Sequence, residues 1–226
     1  MKKHFPIIVS IFFLTTCEIN FSNDFDSKME TLVGQGNIIS KIHNLNDFNS
    51  IKFSGSGDVT LIKDIKSSLN IEEFENLVDF WTVSIENKTL IIKRKENIFF
   101  QNSKAKMLIK TNKNIENISL YGSPNVKINS GVENISKIEL FGSSKLELIE
   151  KLSTKFCEIN LYGSGECNLS NLIASKVKTD VNGSRDLTLS VSDNLDVTVS
   201  GSSKVSYYGN PKIISKISGS GKVIKL

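Results

Sequence analysis

A short pattern that recurs seven times constrains the fold of this chain more than any other feature. Each copy has two runs of alternating apolar and polar residues on either side of a glycine, which is followed by serine. From the second copy onward the glycines are 20, 21, 20, 18 and 18 residues apart, and seven of the 14 glycines hold this position. Such regular self-similarity indicates a repeat architecture. The anchoring glycines are Gly55, Gly122, Gly142, Gly163, Gly183, Gly201 and Gly219.

The alternation within each copy predicts β-strands, because a period of two with branched residues places one set of side chains on a buried face. Glycine supplies a corner with positive φ, and the serine hydroxyl can satisfy a backbone group there. Stacked hairpins or the coils of a solenoid would both fit, but a solenoid needs a continuous inward column. From the second copy onward that column is present two residues before each glycine: Leu120, Leu140, Leu161, Val181, Val199 and Ile217. The sequence therefore predicts an all-β solenoid over residues 37–226, with coils of about 18–21 residues.

The interval between Gly55 and Gly122 is 67 residues long, which corresponds to about three coils in which the repeat is masked. Residues 81–85 and 89–93 are predicted to form a hairpin, and residues 105–110 another strand. Residues 69–80 are compatible with either a strand and loop or a short helical turn.

The first 17 residues have the features of an export signal. Lys2 and Lys3 precede a ten-residue apolar run, which is too short to span a bilayer, and Cys17 follows shortly after. This order resembles the lipobox of bacterial lipoproteins, with Leu14 at position −3 and Cys17 as the acylated residue. Thr16 departs from the small residue usual there, so an ordinary secretory signal is the alternative. The resemblance implies a lipoprotein of the cell envelope, located at the outer membrane or in the periplasm, with exposure on the cell surface as one option. Residues 18–36 would then form a tether.

Composition excludes several classes of function. The formal charge is +4, and +2 without Lys2 and Lys3, which is too small for a nucleic-acid footprint. His4 and His43 are the only histidines, so the sequence has too few of them for a multi-histidine metal site and argues against a histidine-based triad. We expect neither a metal nor another cofactor.

Three aromatic residues are the candidate binding face. Tyr121, Phe141 and Tyr162 directly precede their glycines, so alternation points them outward and stacking aligns them. Such a strip suits a sugar or a partner protein; the alternative is that it covers a loop or stabilises the stack. The serines after the glycines have no accompanying base and are interpreted as structural. Cys157 and Cys167 both face inward, either as a disulfide within one coil or as two buried thiols.

Outward carboxylates raise the question of catalysis. Glu139 and Asp180 would lie roughly 10 Å apart across two stacking steps, a separation that suits an inverting glycosidase. Glu166 and Asp186 are also expected to point outward, together with Arg185. However, a flat solenoid face offers no cleft, and charged outward residues are the default for a solvated surface. We therefore predict that the chain is not an enzyme, with a carbohydrate-active enzyme as a minor alternative.

The chain resembles the GIN-domain family, described as auto-transporter adhesin heads. The resemblance covers about residues 34–226 and rests on the glycines at 34 and 36, the segments 48–51 and 53–61, the Gly-Ser repeats and the terminal segment 218–223. It implies a right-handed parallel β-helix-like fold in an exported, often lipid-anchored protein, without catalytic residues to transfer. The expected function is a lipid-anchored binding module for a surface glycan or an envelope or host protein. The alternative is a structural envelope lipoprotein that self-associates through its solenoid ends.

Overall fold

The computed structural model describes residues 29–129 and 134–226, and the expectation of an all-β fold is confirmed. The predicted signal and most of the predicted tether lie outside the described residues. One short 3-10 turn, Val78–Phe80, is the exception among the described elements. The strands are β1 (Glu30–Val33), β2 (Ile38–Asn44), β3 (Ser50–Lys63), β4 (Ser68–Phe74), β5 (Trp81–Glu86), β6 (Thr89–Arg94), β7 (Ile98–Gln101), β8 (Lys106–Thr111), β9 (Asn117–Ile128), β10 (Lys137–Gly142), β11 (Lys145–Leu148), β12 (Leu152–Gly201), β13 (Lys204–Tyr208), β14 (Lys212–Gly219) and β15 (Lys222–Lys225).

Consecutive copies of the repeat pair in parallel and in register. Gly55 lies opposite Gly122, Gly122 opposite Gly142, and Gly142 opposite Gly163. At the other end of the stack Gly201 lies opposite Gly219. β12 is a run of 50 residues that passes through two corners without interruption. The repeat therefore sets the register of the sheets, because each copy places the same side chains at the same height.

The predicted inward column forms the core. Leu120, Leu140, Leu161, Val181 and Val199 are all buried and belong to one apolar cluster that runs through the stack. Ile217, the last member of the column, is 48% exposed because no further strand of the described chain covers it. Alternation thus identified the buried face, and only the end of the stack departs from it.

The interval between the first two copies differs from the expectation of three masked coils. β3 pairs with β9 on one side, so the first two copies are direct neighbours. On its other side β3 pairs with β6 and β8, and β5, β4 and β2 extend the sheet by antiparallel pairing. Within the interval β6 and β8 continue the parallel stacking on β3 by one step. The other strands, β5, β4 and β2, reverse direction and add in antiparallel fashion.

The shorter predictions within this interval are resolved as follows. The hairpin is confirmed as β5 and β6, and the strand predicted at residues 105–110 is β8. The undecided segment is a strand, β4, followed by the 3-10 turn. β1 lies within the range predicted as a tether and pairs in parallel with β7.

The two ends of the stack are built differently. Trp81 lies over Gly55, where an added Cβ would come within 2.7 Å of the indole ring. The same ring stacks on Phe53 and meets Phe100 edge-on. We call this side the covered end. At the opposite side β14 pairs only with β12, and β15 only with β13, among the described strands; we call it the open end.

Candidate functional site

Three aromatic rings form a stack on the outward face of the sheet, at the positions where the sequence predicted them. The ring centroids of Tyr121 and Phe141 are 4.9 Å apart, and those of Phe141 and Tyr162 are 5.1 Å apart. Both pairs have an interplanar angle of 6°. The spacing follows from the register, since the three residues lie opposite one another in neighbouring strands. We call this feature the aromatic stack.

The stack offers mainly ring edges to solvent, and the outer face of Tyr162 is the one ring face that neither another ring nor Lys52 covers. Each inner face is covered by the neighbouring ring, and the Lys52 ammonium lies 5.3 Å from the centroid of Tyr121 on the remaining side of that ring. Tyr121 and Phe141 are partly buried, whereas Tyr162 is exposed. Flat stacking of a sugar ring on an aromatic face therefore has little room here. Contacts to ring edges and phenol hydroxyls remain available.

Glu139 lies beside the stack and is held by two donors. Its Oε1 is 2.7 Å from the ammonium of Lys137, and its Oε2 accepts a hydrogen bond of 2.9 Å from the hydroxyl of Ser119. Partial burial alone would raise the pKa of the Glu139 carboxyl. The hydrogen bonds from Lys137 and Ser119 outweigh that effect, so the pKa lies below its usual value. A general acid needs the opposite shift, so this carboxylate suits a charged binding surface better.

Tyr162 closes the stack on the side of Asp180. Burial, together with the charge of Asp180 and a hydrogen bond to it, raises the pKa of the Tyr162 phenol, which therefore stays protonated at neutral pH. Asp180 also accepts a hydrogen bond of 2.7 Å from the side-chain amide of Asn182. The outward face thus combines ring edges, a phenol hydroxyl, amides and charges of both signs within a few neighbouring strands.

The remaining predicted carboxylates lie on the other side of the glycine corners. Asp186 is 3.5 Å from the ammonium of Lys204, and Glu166 lies opposite Lys145 in the register. Asn125, Lys145 and Glu166 line a shallow surface groove there. These residues are not brought together with Glu139 and Asp180 into one cleft.

The glycine corners have the backbone conformation that the sequence predicts, whereas the serine column shows a bond between hydroxyls and not the predicted bond to a backbone group. All seven anchoring glycines have positive φ, and each one from Gly122 onward lies against the carbonyl of the preceding corner. A Cβ on Gly163, for example, would come within 2.3 Å of the Gly142 oxygen. The hydroxyls of Ser143 and Ser164 are 3.0 Å apart and bond to each other along the column. Neighbouring corners can approach this closely only without side chains.

Both inward cysteines are buried, and in the structure both are free thiols. Burial raises the pKa of the Cys157 and Cys167 thiols to about 12, so neither is an accessible nucleophile at neutral pH. Cys17 lies outside the described residues. No group of histidine, cysteine or carboxylate side chains suited to a metal ion is found in ranges 29–129 and 134–226.

The prediction that Arg185 points outward is wrong. Its side chain is fully buried, and its guanidinium donates to the carbonyl oxygens of Ser144 at 2.9 Å and Gly142 at 2.7 Å. Burial lowers the pKa of this guanidinium. Its position, two residues after the glycine, is held in the other copies by residues with small or compact side chains: Gly57, Pro124, Ser144, Gly165, Ser203 and Gly221. That pattern was the available signal that the position faces the inside of the corner.

Sequence reasoning also missed two contacts that shape the site. Lys52 belongs to the first copy, and it reaches Tyr121 only because the first two copies are neighbours. Lys137 and Glu139 are two residues apart on one strand face, a spacing that could have indicated their ion pair. Within the part of the chain that the structure describes, no helix has the length and apolar character needed to cross a bilayer.

Comparisons with known proteins agree with this architecture. A family model described as "Putative auto-transporter adhesin, head GIN domain" matches residues 47–211. A crystal structure of a "putative adhesin" from Bacteroides fragilis has a TM-score of 0.59 at 20% identity and covers 86% of this chain and 100% of that one. A "putative lipid binding protein" from Parabacteroides distasonis has a TM-score of 0.58 at 21% identity, with coverage of 87% and 100%. No curated protein matches the chain.

Proposed function

The chain belongs to the GIN-domain family of auto-transporter adhesin heads, and from this premise we propose that it is an exported binding module whose recognition surface is the face around the aromatic stack. The observation that carries the proposal is the stack itself. Aromatic side chains at the same position give way to Asn182, Ser200 and Ser218 in later copies, so the fold does not require rings there.

The chemistry of this face favours a protein partner. Ring edges, a phenol hydroxyl and an ion pair on a flat, rigid sheet are features of protein interfaces, in which tyrosine is enriched. Recognition of a glycan by ring stacking needs an open aromatic face, and neighbouring rings and Lys52 occupy every face of the stack except the outer face of Tyr162. We therefore propose that the partner is an envelope or host protein, bound without chemical conversion.

Arrays of envelope and extracellular-matrix proteins, printed beside a glycan array, test this proposal. The protein applied to both arrays would be the chain from Glu18 onward. We expect specific binding to a protein, and a loss of at least about tenfold when Tyr121, Phe141 and Tyr162 are all replaced by serine. Serine is the appropriate substitute because it holds this position at residue 200. Binding to glycans alone would contradict the choice of partner.

A matched control lies elsewhere on the surface. Ile173 is about as exposed as Tyr162 and is not part of the stack. Ile173→Ser should leave binding unchanged, and the thermal unfolding of all variants should be compared with that of the parent. If binding is lost equally in the control, or survives the triple variant, the aromatic stack is not the recognition surface.

We further propose that residues 1–17 are a signal with its lipobox, cleaved before Cys17, and that residues 18–36 connect the lipid-modified Cys17 to the domain of residues 37–226. Within that domain we propose that the repeated copies wind as a right-handed parallel β-helix. The parallel register supports a helix of coils, and right-handed connections are strongly preferred between parallel strands. An acylated cysteine with two or three chains would anchor the module stably to a membrane.

Detergent-phase partitioning of the chain expressed in a bacterium tests the anchor. The parent should enter the detergent phase, and Cys17→Ser should move it to the aqueous phase. Cys157→Ser is the control, since this buried thiol takes no part in anchoring. Equal partitioning of the parent and Cys17→Ser would rule out the anchor and leave the binding proposal intact.

A further inference from the structure

The open end exposes the cross-section of the core. Ile213 and Ile217 lie opposite the buried residues Leu195 and Val199, yet they are 40% and 48% exposed. Among the described strands, β14 has a neighbour on one side only, so its other edge has free backbone donors and acceptors. Such an edge fits another strand, which would satisfy these groups and cover the two isoleucines.

The open end is also uniformly basic. From residue 205 to residue 226 the chain has four lysines and no acidic side chain. In the interior of the stack lysines have acidic neighbours, as in the pairs Lys204–Asp186 and Lys137–Glu139. Lys216 lies opposite Thr198 and has no such neighbour in the pairing register. Two open ends placed together would therefore repel each other, and the fitting strand should be acidic.

A segment of this chain outside the described residues has this character. Residues 18–26, with the sequence Glu-Ile-Asn-Phe-Ser-Asn-Asp-Phe-Asp, alternate between two sets of side chains. One set contains Ile19, Phe21 and Phe25. The other contains Glu18, Asp24 and Asp26. This segment is thus complementary to β14 in hydrophobic pattern and in charge.

We propose that residues 20–26 of one copy of the chain add as a parallel strand to the free edge of β14 in a second copy. Phe21 and Phe25 then cover Ile213 and Ile217, and Asp24 lies opposite Lys216. This register continues the pairing by which the internal copies stack. The inference is independent of the aromatic stack and its partner.

The acceptor is a second copy because a chain cannot reach its own open end. Six stacking steps separate the corner at Gly55 from that at Gly219, or about 29 Å at about 4.8 Å per step. Met29 lies on the side of the covered end. It adjoins β1, and β1 pairs with β7, which carries Phe100, one of the rings packed at that end. Only residues 27 and 28 lie between residue 26 and Met29, and the three Cα–Cα steps between those two residues span at most about 11 Å. The copies therefore associate head to tail.

Light scattering on the chain from Glu18 onward, which contains every described strand, tests the proposal. The parent should form species above the monomer as concentration rises. Phe21→Asp should remove the donor and Ile217→Asp the acceptor, each weakening association by about 100-fold. An equimolar mixture of the two variants should give one-to-one dimers, because each retains the surface that the other lacks.

A charge exchange tests the register. Asp24→Lys and Lys216→Asp should each weaken association by about tenfold, and the double variant should restore it. Ile173→Asp, at an exposed site away from the open end, is the control and should change nothing. A parent that stays monomeric at the highest soluble concentration would overturn the proposal. Association that survives Phe21→Asp would overturn it as well, since another surface would then be responsible.

Discussion

The covered end and the open end are built from the same repeat, yet they expose very different surfaces. At the covered end Trp81 lies over Gly55, and the sheet extends beyond β3 first through the parallel strands β6 and β8 and then through antiparallel strands. At the open end Ile213 and Ile217 occupy core positions without a cover among the described strands. The comparison shows that the repeat specifies how copies stack but not how the stack is closed. Closure comes from non-repeated sequence, here the interval between the first two copies.

The largest difference in the free energy of unfolding between the two ends should appear when one apolar side chain is removed from each end. Trp81→Ala should lower the free energy of unfolding by about 3–5 kcal/mol, because it leaves a cavity over Phe53 and Gly55. Ile217→Ala should lower it by less than about 1 kcal/mol, because half of that side chain is already in water. Urea unfolding measures both, and equal losses would contradict the distinction between the ends.

Substitution of the corner glycines should give the next largest difference. Gly163→Ala forces a Cβ to within 2.3 Å of the Gly142 oxygen at φ +108, and we expect a loss of about 3 kcal/mol. Gly219→Ala meets the Gly201 oxygen at 2.6 Å. Because β14 is held on one side only, it can shift, and the loss should be about 1 kcal/mol. A loss at Gly219 as large as that at Gly163 in thermal unfolding would show that the open end is as rigid as the interior.

Arg185 should be an intermediate case, since it ties interior copies together and has no counterpart at the open end. Arg185→Ala removes the donor to the buried Ser144 carbonyl and to the partly buried Gly142 carbonyl, and it should lower the free energy of unfolding by about 2–3 kcal/mol. Lys178→Ala, at an exposed position of β12 in the interior of the stack, is the control and should change it by less than about 1 kcal/mol. If the two variants unfold alike, the guanidinium does not act as a cross-link.

A fall in pH should produce the smallest change in the free energy of unfolding, and this change should arise in the interior of the stack. The pKa of Glu139 is lower in the folded chain than in the unfolded one, so its contribution is present above the unfolded pKa and is lost as pH falls through the folded pKa. The loss should not exceed about 1 kcal/mol. Unfolding of the parent and of Glu139→Gln at pH 7 and at pH 3 measures it, and the variant should depend less on pH. An identical pH dependence would contradict the role of the Lys137 ion pair.

Much of the fold followed from local patterns. Alternation gave the strand type and the buried face, and the spacing of the glycines gave the corners and the vertical alignment of Tyr121, Phe141 and Tyr162. The hairpin of β5 and β6 was equally local. The order of strands in the interval was not, because sequence length alone does not distinguish parallel coils from antiparallel additions.

The candidate site likewise has features that the sequence predicted and features that it did not. Its rings were predicted from parity, but the contact of Lys52 with Tyr121 depends on two copies that are 67 residues apart in sequence and adjacent in space. Arg185 was misassigned because charge predicts exposure on average, whereas burial depends on the acceptors that a folded chain provides. Here those acceptors are carbonyl groups two corners away.

By itself, the sequence determined that this chain forms repeated strands with glycine corners, a continuous apolar column and an aligned aromatic strip. These properties depend on period and on side-chain type, which act within one copy and repeat in the next. Only the tertiary structure decided that the interval covers one end, that the rings present their edges, and that a guanidinium lies in the core. Those outcomes depend on contacts between residues distant in sequence, whose free energies no local pattern encodes.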